Sequence, residues 1–201
     1  ARERLGEVLG VDFGFGESAA NRSLPDLELS FEVCANGEEA VGVLAAMGDS
    51  LAPVAMMPGF RGDQRELAGI AATDGEKTWW FSLDLLAVGK VSDALGGLLS
   101  ADGPGLVTHH AKPLVRLLLR MGLDTEKLVV DTALAAYLLD PSESSYELTE
   151  LMEEHSGCRL PEFGTPDGQL DLEGETRDPA MEASHQAVAV HRLVTPMVSA
   201  L

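Results

Sequence analysis

Histidines and carboxylates are the residue types that perform hydrolytic or metal-assisted chemistry, and few of them lie together in this chain. His109 and His110 are adjacent in an apolar stretch. Successive side chains of a strand point to opposite faces, so we expect these two not to form a joint metal site. We interpret His110 as a satisfied, partly buried histidine rather than a lone ligand or base. Asp131 ends a predicted buried strand, where it could serve as a metal ligand.

Other residues that could bind a ligand or take part in a reaction are better explained by structural roles. Cys34 and Cys158 lie far apart without a pairing pattern, which favours a reduced, cytoplasmic protein over a disulfide scaffold or a zinc site. No lysine or serine follows Gly14-Phe15-Gly16 in the register of a phosphate loop. Trp79 and Trp80 could stack on bases. Since they are neighbours in a predicted strand, we expect one to be in the core and the other partly exposed.

The excess of acidic residues limits the classes of molecule that this chain is expected to bind. The 201 residues contain 14 Lys and Arg against 33 Asp and Glu, a net charge of −19. Nucleic-acid binders gain much of their affinity by neutralising phosphates with Lys and Arg, so weak or no DNA binding by this chain alone is expected. The acidity acts as a solubility device or as a docking surface for a basic partner. Residues 161–179 are acidic and rich in Gly and Pro, which predicts an exposed loop.

The hydrophobic periodicity predicts the elements that position these residues. The predicted strands cover residues 27–33, 52–57, 67–73, 77–83, 105–109 and 128–130. The predicted helices cover residues 37–47, 91–99, 112–121, 132–139 and 146–155, with a last helix starting at Pro179. Asp74-Gly75 is a strong hairpin signal. No apolar run of membrane-spanning length occurs. A meander of strands followed by alternating strands and helices indicates an α/β fold with a mixed sheet.

An ordered set of segments resembles the 3′–5′ exonuclease domain of bacterial DNA polymerase I. Residues 106–114 and 129–141 are similar to its strand, helix, strand and following Asp-Thr helix, which continues Ala-Tyr-Leu-Leu. Residues 145–151 resemble its next helix, and residues 51–55 and 67–71 its first two core strands. The resemblance implies a ribonuclease-H-like mixed sheet of about five strands flanked by helices.

The resemblance also implies a place in a longer protein. In the family this domain lies between a 5′ nuclease domain and a polymerase domain, which would be its partners in the same parent chain during DNA replication and repair. Residues 1–26 would then be a linker from the upstream domain, and residues 27–201 the exonuclease-like domain. The expected location is the bacterial cytoplasm.

Active members of this family use two divalent cations held by carboxylates. Aligning the motifs places Pro58 and Phe60 at the family's Asp-x-Glu pair, and Leu114 at its second Asp. In the C-terminal helix, Glu182 replaces the Tyr that orients water and Gln186 replaces the third Asp. The resemblance therefore predicts a catalytically inactive domain without a bound metal or other cofactor.

Two alternatives remain open at this point. The first is an active exonuclease whose metal site has been rebuilt from Asp63, Asp102 or Asp131. The resemblance instead gives Asp131 a structural role, as the cap of the helix that starts at Thr132. The second is a protein-interaction module in which the acidic loop from Glu162 to Asp178 docks on a basic surface.

Overall fold

The computed structural model describes residues 24–61, 66–161, 163 and 178–201. Most of the predicted linker and of the acidic loop, together with Asp63, lies outside these residues. No helix within the described residues is both long enough and apolar enough to cross a membrane.

A six-stranded mixed sheet forms the centre of the domain. Its strands are β1 (Glu32–Val33), β2 (Val54–Arg61), β3 (Glu66–Thr73), β4 (Thr78–Ser82), β5 (Leu106–Thr108) and β6 (Leu128–Asp131). They lie in the order β1-β4-β3-β2-β5-β6. Only β3 runs antiparallel to its neighbours, since the β1–β4, β2–β5 and β5–β6 pairs are parallel. The predicted α/β fold with a mixed sheet is confirmed, and the sheet has six strands where the resemblance implied about five.

Helices cover both faces of the sheet. They are α1 (Gly37–Gly48), α2 (Leu83–Leu86), α3 (Gly89–Leu99), α4 (Ala111–Arg120), α5 (Thr132–Leu139), α6 (Leu148–Ser156) and α7 (Pro179–Ala200). The apolar faces of α1 to α4 form one core with the sheet, which we call the α1-side core. Helices α5, α6 and α7 form a second core on the opposite face, the α7-side core. Burial on both faces makes the sheet a rigid middle layer.

The alternation of β2 explains why its residues serve two cores. Val54 and Met56 point into the α1-side core, and Ala55 and Met57 into the α7-side core. All four are buried, as expected for a central strand with both faces covered. The strand continues beyond the predicted end at Met57 as far as Arg61.

The predicted strand over residues 27–33 is largely wrong. Only Glu32 and Val33 pair with β4. Leu27 instead donates its backbone N–H to the Arg159 carbonyl at 2.7 Å, and its side chain is buried in the α7-side core. The alternation of apolar residues in this segment therefore reflects burial in the α7-side core and not an extended β-strand.

Two glycines allow close packing inside the sheet. A Cβ atom on Gly69 would lie 2.2 Å from the Phe81 carbonyl oxygen and 2.6 Å from the Trp80 ring. A Cβ on Gly59 would lie 2.6 Å from the Pro179 carbonyl oxygen and 2.7 Å from the same ring. Trp80 is buried, so its indole occupies the space that side chains at these glycines would need. The partly exposed Trp79 confirms the predicted division of roles between the two tryptophans.

We expect Gly69→Ala to lower the free energy of unfolding by about 2 kcal/mol, because the methyl group meets a strand carbonyl that cannot move independently. Gly42→Ala is the matched control. Gly42 lies within α1 with no atom near its Cβ position, and the same change there should stabilise the domain by about 0.5–1 kcal/mol. Urea unfolding measures both. Equal effects of the two substitutions would contradict the packing described for Gly69.

Candidate functional site

The end of β2 is the first part of the candidate site. Pro58 lies opposite Ile70 of β3, and the ladder is irregular between Gly59 and Phe60. The pairing of β2 with β5 involves only Val54 and Ala55, so Pro58 lies beyond that ladder. A proline, which has no N–H, is accommodated in a central sheet where one edge of its strand is unpaired. Pro58 and Phe60 are both half-buried.

Helix α4 carries the second predicted ligand position, Leu114, whose side chain packs on the opposite face of the sheet from α7. Leu114 lies in the first turns of α4 and is 1% exposed, with its side chain in the α1-side core. The same side of the helix carries Leu118, which is fully buried. Leu114 therefore contributes to the packing of α4 on the sheet, and its position is closed to solvent.

Helix α7 supplies the third part. Its first residue, Pro179, lies next to Gly59, so the start of α7 meets the end of β2. The Gln186 side-chain amide donates to the Glu182 carboxylate at 3.3 Å, one turn apart on the same helix. Between them, Ser184 is completely buried, and its hydroxyl has no hydrogen-bond partner among the described residues.

These residues do not fit a pair of divalent cations. Magnesium and manganese require oxygen ligands, whereas Pro58, Phe60 and Leu114 have apolar side chains. Gln186 offers one neutral amide oxygen. Within the part of the chain that the structure describes, no three His, Cys, Asp or Glu side chains lie close enough together to hold a metal ion.

Asp131 accepts three backbone N–H groups from the starts of two helices at this edge of the sheet. Its Oδ1 accepts the N–H groups of His110 and Ala133, each at 3.0 Å, and its Oδ2 accepts the N–H of Ala111 at 2.8 Å. The bond from Ala133 is the predicted N-terminal cap of α5. The two bonds from the start of α4 were not predicted, because their partners are about 20 residues away in sequence.

The histidine pair differs from its prediction. Strand β5 ends at Thr108, and His110 has a left-handed backbone with φ 50° and ψ 67°. The two rings therefore do not face opposite sides. Their centroids are 4.4 Å apart. His110 is exposed, so its assignment as a partly buried residue is wrong, and His109 is the buried member at 7% exposure.

His109 is held by a threonine. Its Nδ1 lies 2.9 Å from the Thr132 hydroxyl, and its Nε2 is buried with no partner among the described residues. Burial, together with a smaller contribution from the adjacent His110, lowers the pKa of His109 to about 4, although Asp131 partly opposes this shift. The imidazole is consequently neutral at neutral pH and serves as a packing residue at the end of β5.

The carboxylates proposed for a rebuilt site do not converge in the described residues. Asp131 is engaged by three backbone N–H groups, and Asp102 is exposed in the turn before β5. Asp63 is outside the described residues.

Comparisons with known proteins agree with this architecture. A family model described as "DNA polymerase I, ribonuclease H-like domain" matches residues 57–160, just over half of the chain. No curated protein sequence matches the chain.

Several solved structures share the fold. The POL domain of Pol1 from M. smegmatis, in complex with DNA primer-template and dNTP, is 20% identical with a TM-score of 0.65, over 86% of this chain and 27% of that one. RNase D from Escherichia coli, an exoribonuclease involved in structured RNA processing, is 16% identical with a TM-score of 0.62, over 86% of this chain and 44% of that one. Trypanosoma brucei RNase D is 12% identical with a TM-score of 0.65, over 85% and 66%. The chain thus spans about a quarter to two thirds of these proteins.

We expect Asp131→Ala to reduce the free energy of unfolding by about 2–3 kcal/mol, because it leaves three backbone N–H groups without their acceptor. Asp131→Asn should cost less, since one retained oxygen at the Oδ1 position accepts two of the three bonds. Asp93→Ala, at an exposed position of α3, is the control and should change stability by less than about 0.5 kcal/mol. If Asp131→Ala behaved like Asp93→Ala in urea unfolding, the structural role of Asp131 would be refuted.

Proposed function

Since the chain belongs to the family of ribonuclease-H-like, 3′–5′ exonuclease-like domains of DNA polymerase I, we propose that it is a catalytically inactive member of that family. In this proposal it acts as a rigid spacer between the 5′ nuclease and polymerase domains of a parent DNA polymerase I. The parent protein would carry out DNA synthesis in replication and repair. This domain would fix the distance between its neighbouring domains and would not hydrolyse DNA.

The observation that best supports the proposal is the burial of Leu114 in an apolar core. Leu114 lies within the matched residues 57–160, at the position where the family's pattern places a metal-binding Asp. A leucine that is 1% exposed in an apolar core provides no ligand and leaves no space for a hydrated cation. A carboxylate there would be buried among apolar side chains unless the packing of α4 changed.

The substitutions at the end of β2 support the same conclusion. Pro58 and Phe60 also lie within the matched residues, and neither side chain has a polar atom. Gln186 lies outside them, so its correspondence with the family's third Asp depends on the C-terminal helix alone. The proposal therefore does not depend on the assignment of Gln186.

The spacer role is supported by the double-sided core. A sheet packed on both faces by helices resists deformation, because each face is close-packed. Such a layer can hold neighbouring domains at a defined separation without chemistry of its own. Asp131 belongs to this rigid frame, because all three of its bonds are to backbone groups of the domain.

Incubation with a 3′-labelled single strand tests the inactivity. We expect no shortening of the strand at high protein concentration with magnesium or manganese, matching the EDTA sample. A proofreading exonuclease domain serves as the positive control. In parallel, manganese should leave the melting temperature unchanged, whereas a site filled at a hundredfold excess over its Kd would add about 2.7 kcal/mol of stability. EDTA-sensitive trimming from the 3′ end would overturn the proposal.

Removing the domain from the parent polymerase tests the spacer role. We expect the deletion to impair stability or the coordination between nuclease and polymerase steps, and to leave mismatch removal unchanged, because no proofreading is lost. Unfolding midpoints, coupled gap-repair assays and mismatch-extension assays measure these properties. A fall in mismatch removal would argue against a passive domain.

A further inference from the structure

Helix α4 has an exposed face that carries only basic charge. Lys112, Arg116 and Arg120 are all exposed and are spaced by four residues. Leu114 and Leu118 on the opposite side are buried in the α1-side core, so the orientation of the helix is fixed. We call the three basic residues the α4 stripe.

The α4 stripe has a simple geometry. Four residues advance a helix by about 400° and about 6 Å, so three side chains at this spacing cover an arc of about 80° and a length of about 12 Å. Long basic side chains on such an arc reach the same side of the helix. They form one line of positive charge rather than three isolated cations.

The charge around the α4 stripe contrasts with the rest of the chain. No Asp or Glu occurs between Asp102 and Asp124, although the chain has 33 of them and a net charge of −19. The ion pairs among the described residues are His155–Glu154 and Arg159–Glu153, so no described carboxylate lies within 4.0 Å of the stripe's charged groups. Within the described part of the chain, the stripe therefore has no carboxylate partner and can contact an external anion.

We propose that the α4 stripe binds the phosphate backbone of a double-stranded nucleic acid. Phosphates of one strand advance ~3.4 Å per nucleotide along the duplex axis, so every second phosphate advances ~6.8 Å, close to the ~6 Å step between stripe residues. Two of the three cations are arginines, whose planar donors match phosphate oxygens in a bidentate manner. Charge and spacing thus both fit a duplex backbone.

The composition of the stripe favours a duplex over other anions. Sites for single strands combine cations with aromatic side chains on which bases stack, and α4 contains no aromatic residue. An acidic polypeptide would offer carboxylates, which this chain has in excess on its own surface without pairing any described one with the stripe. The regular charge of a duplex is the better match.

The contact is weak and depends on salt. Three phosphate contacts give a slope of about −2.7 for log K against log salt, so binding weakens about 40-fold between 25 and 100 mM salt. The net charge of −19 opposes binding further. Binding of a duplex by this chain alone is therefore measurable at low salt only. If the proposed function holds, the stripe guides a duplex that the parent protein already holds.

Fluorescence anisotropy with a labelled 20-base-pair DNA duplex tests this inference with the whole chain. EDTA is present throughout, so the result is independent of whether the domain hydrolyses DNA. Lys112→Gln/Arg116→Gln/Arg120→Gln should weaken binding at 25 mM salt at least tenfold and abolish most of the salt slope. Lys77→Gln/Lys90→Gln/Arg192→Gln changes three other exposed cations and should weaken binding by no more than about twofold.

Several outcomes would overturn the inference. Equal losses in the two triple variants would mean that only net charge matters. Tighter binding of a single strand of the same sequence, or stripe-dependent binding of labelled polyglutamate without duplex binding, would assign the stripe to a different partner. Absence of duplex binding at 25 mM salt would also refute it. Thermal melting of both variants confirms that each is folded.

Discussion

The carboxylate of Asp131 is the interaction on which this edge of the domain depends. It accepts N–H groups from the first turn of α5 and from the residues that begin α4. One side chain therefore sets the starting points of two helices that lie on opposite faces of the sheet. It also stabilises the left-handed conformation of His110, which a histidine seldom adopts without support. The direction of α4, and with it the burial of Leu114 and the exposure of the α4 stripe, follows from this turn.

The scaffold formed by the described residues does not depend on metal binding. Sheet order, helix layers and the Asp131 turn need no metal ion, because hydrogen bonds and apolar burial hold them together. Leu114, where we propose that the family's metal-binding Asp has been replaced, adds apolar contacts to the core. Replacing a buried charge by a packed apolar group is often neutral or favourable for stability. The proposed loss of ligands is therefore compatible with a well-packed fold.

Features determined by local sequence were predictable. The Asp74-Gly75 hairpin, the cap at Asp131 and the end of the helix predicted over residues 112–121 depend on neighbouring residues, and all three occur in the structure. Features determined by distant contacts were not. The left-handed His110 depends on an acceptor 21 residues away, so alternation alone placed the two histidines wrongly. Pro58 remains in β2 because the β5 ladder ends earlier, which no pattern within β2 indicates. The assignments of Phe60 and Gln186 rest on motif alignment.

Helix α7 has a consequence for how the domain forms. It packs on β2, β3, β4 and β5, strands that precede it by about 70 to 145 residues. Ala55, Met57 and Val107 in the α7-side core are therefore covered by a segment made much later during translation. Because contacts of high sequence separation slow folding, we expect the part of this apolar face that α7 covers to stay exposed until residues 179–200 have left the ribosome. Docking of α7 thus completes a fold that depends on contacts between residues distant in sequence. Before α7 docks, the exposed apolar surface makes the chain most prone to aggregation and most accessible to chaperones.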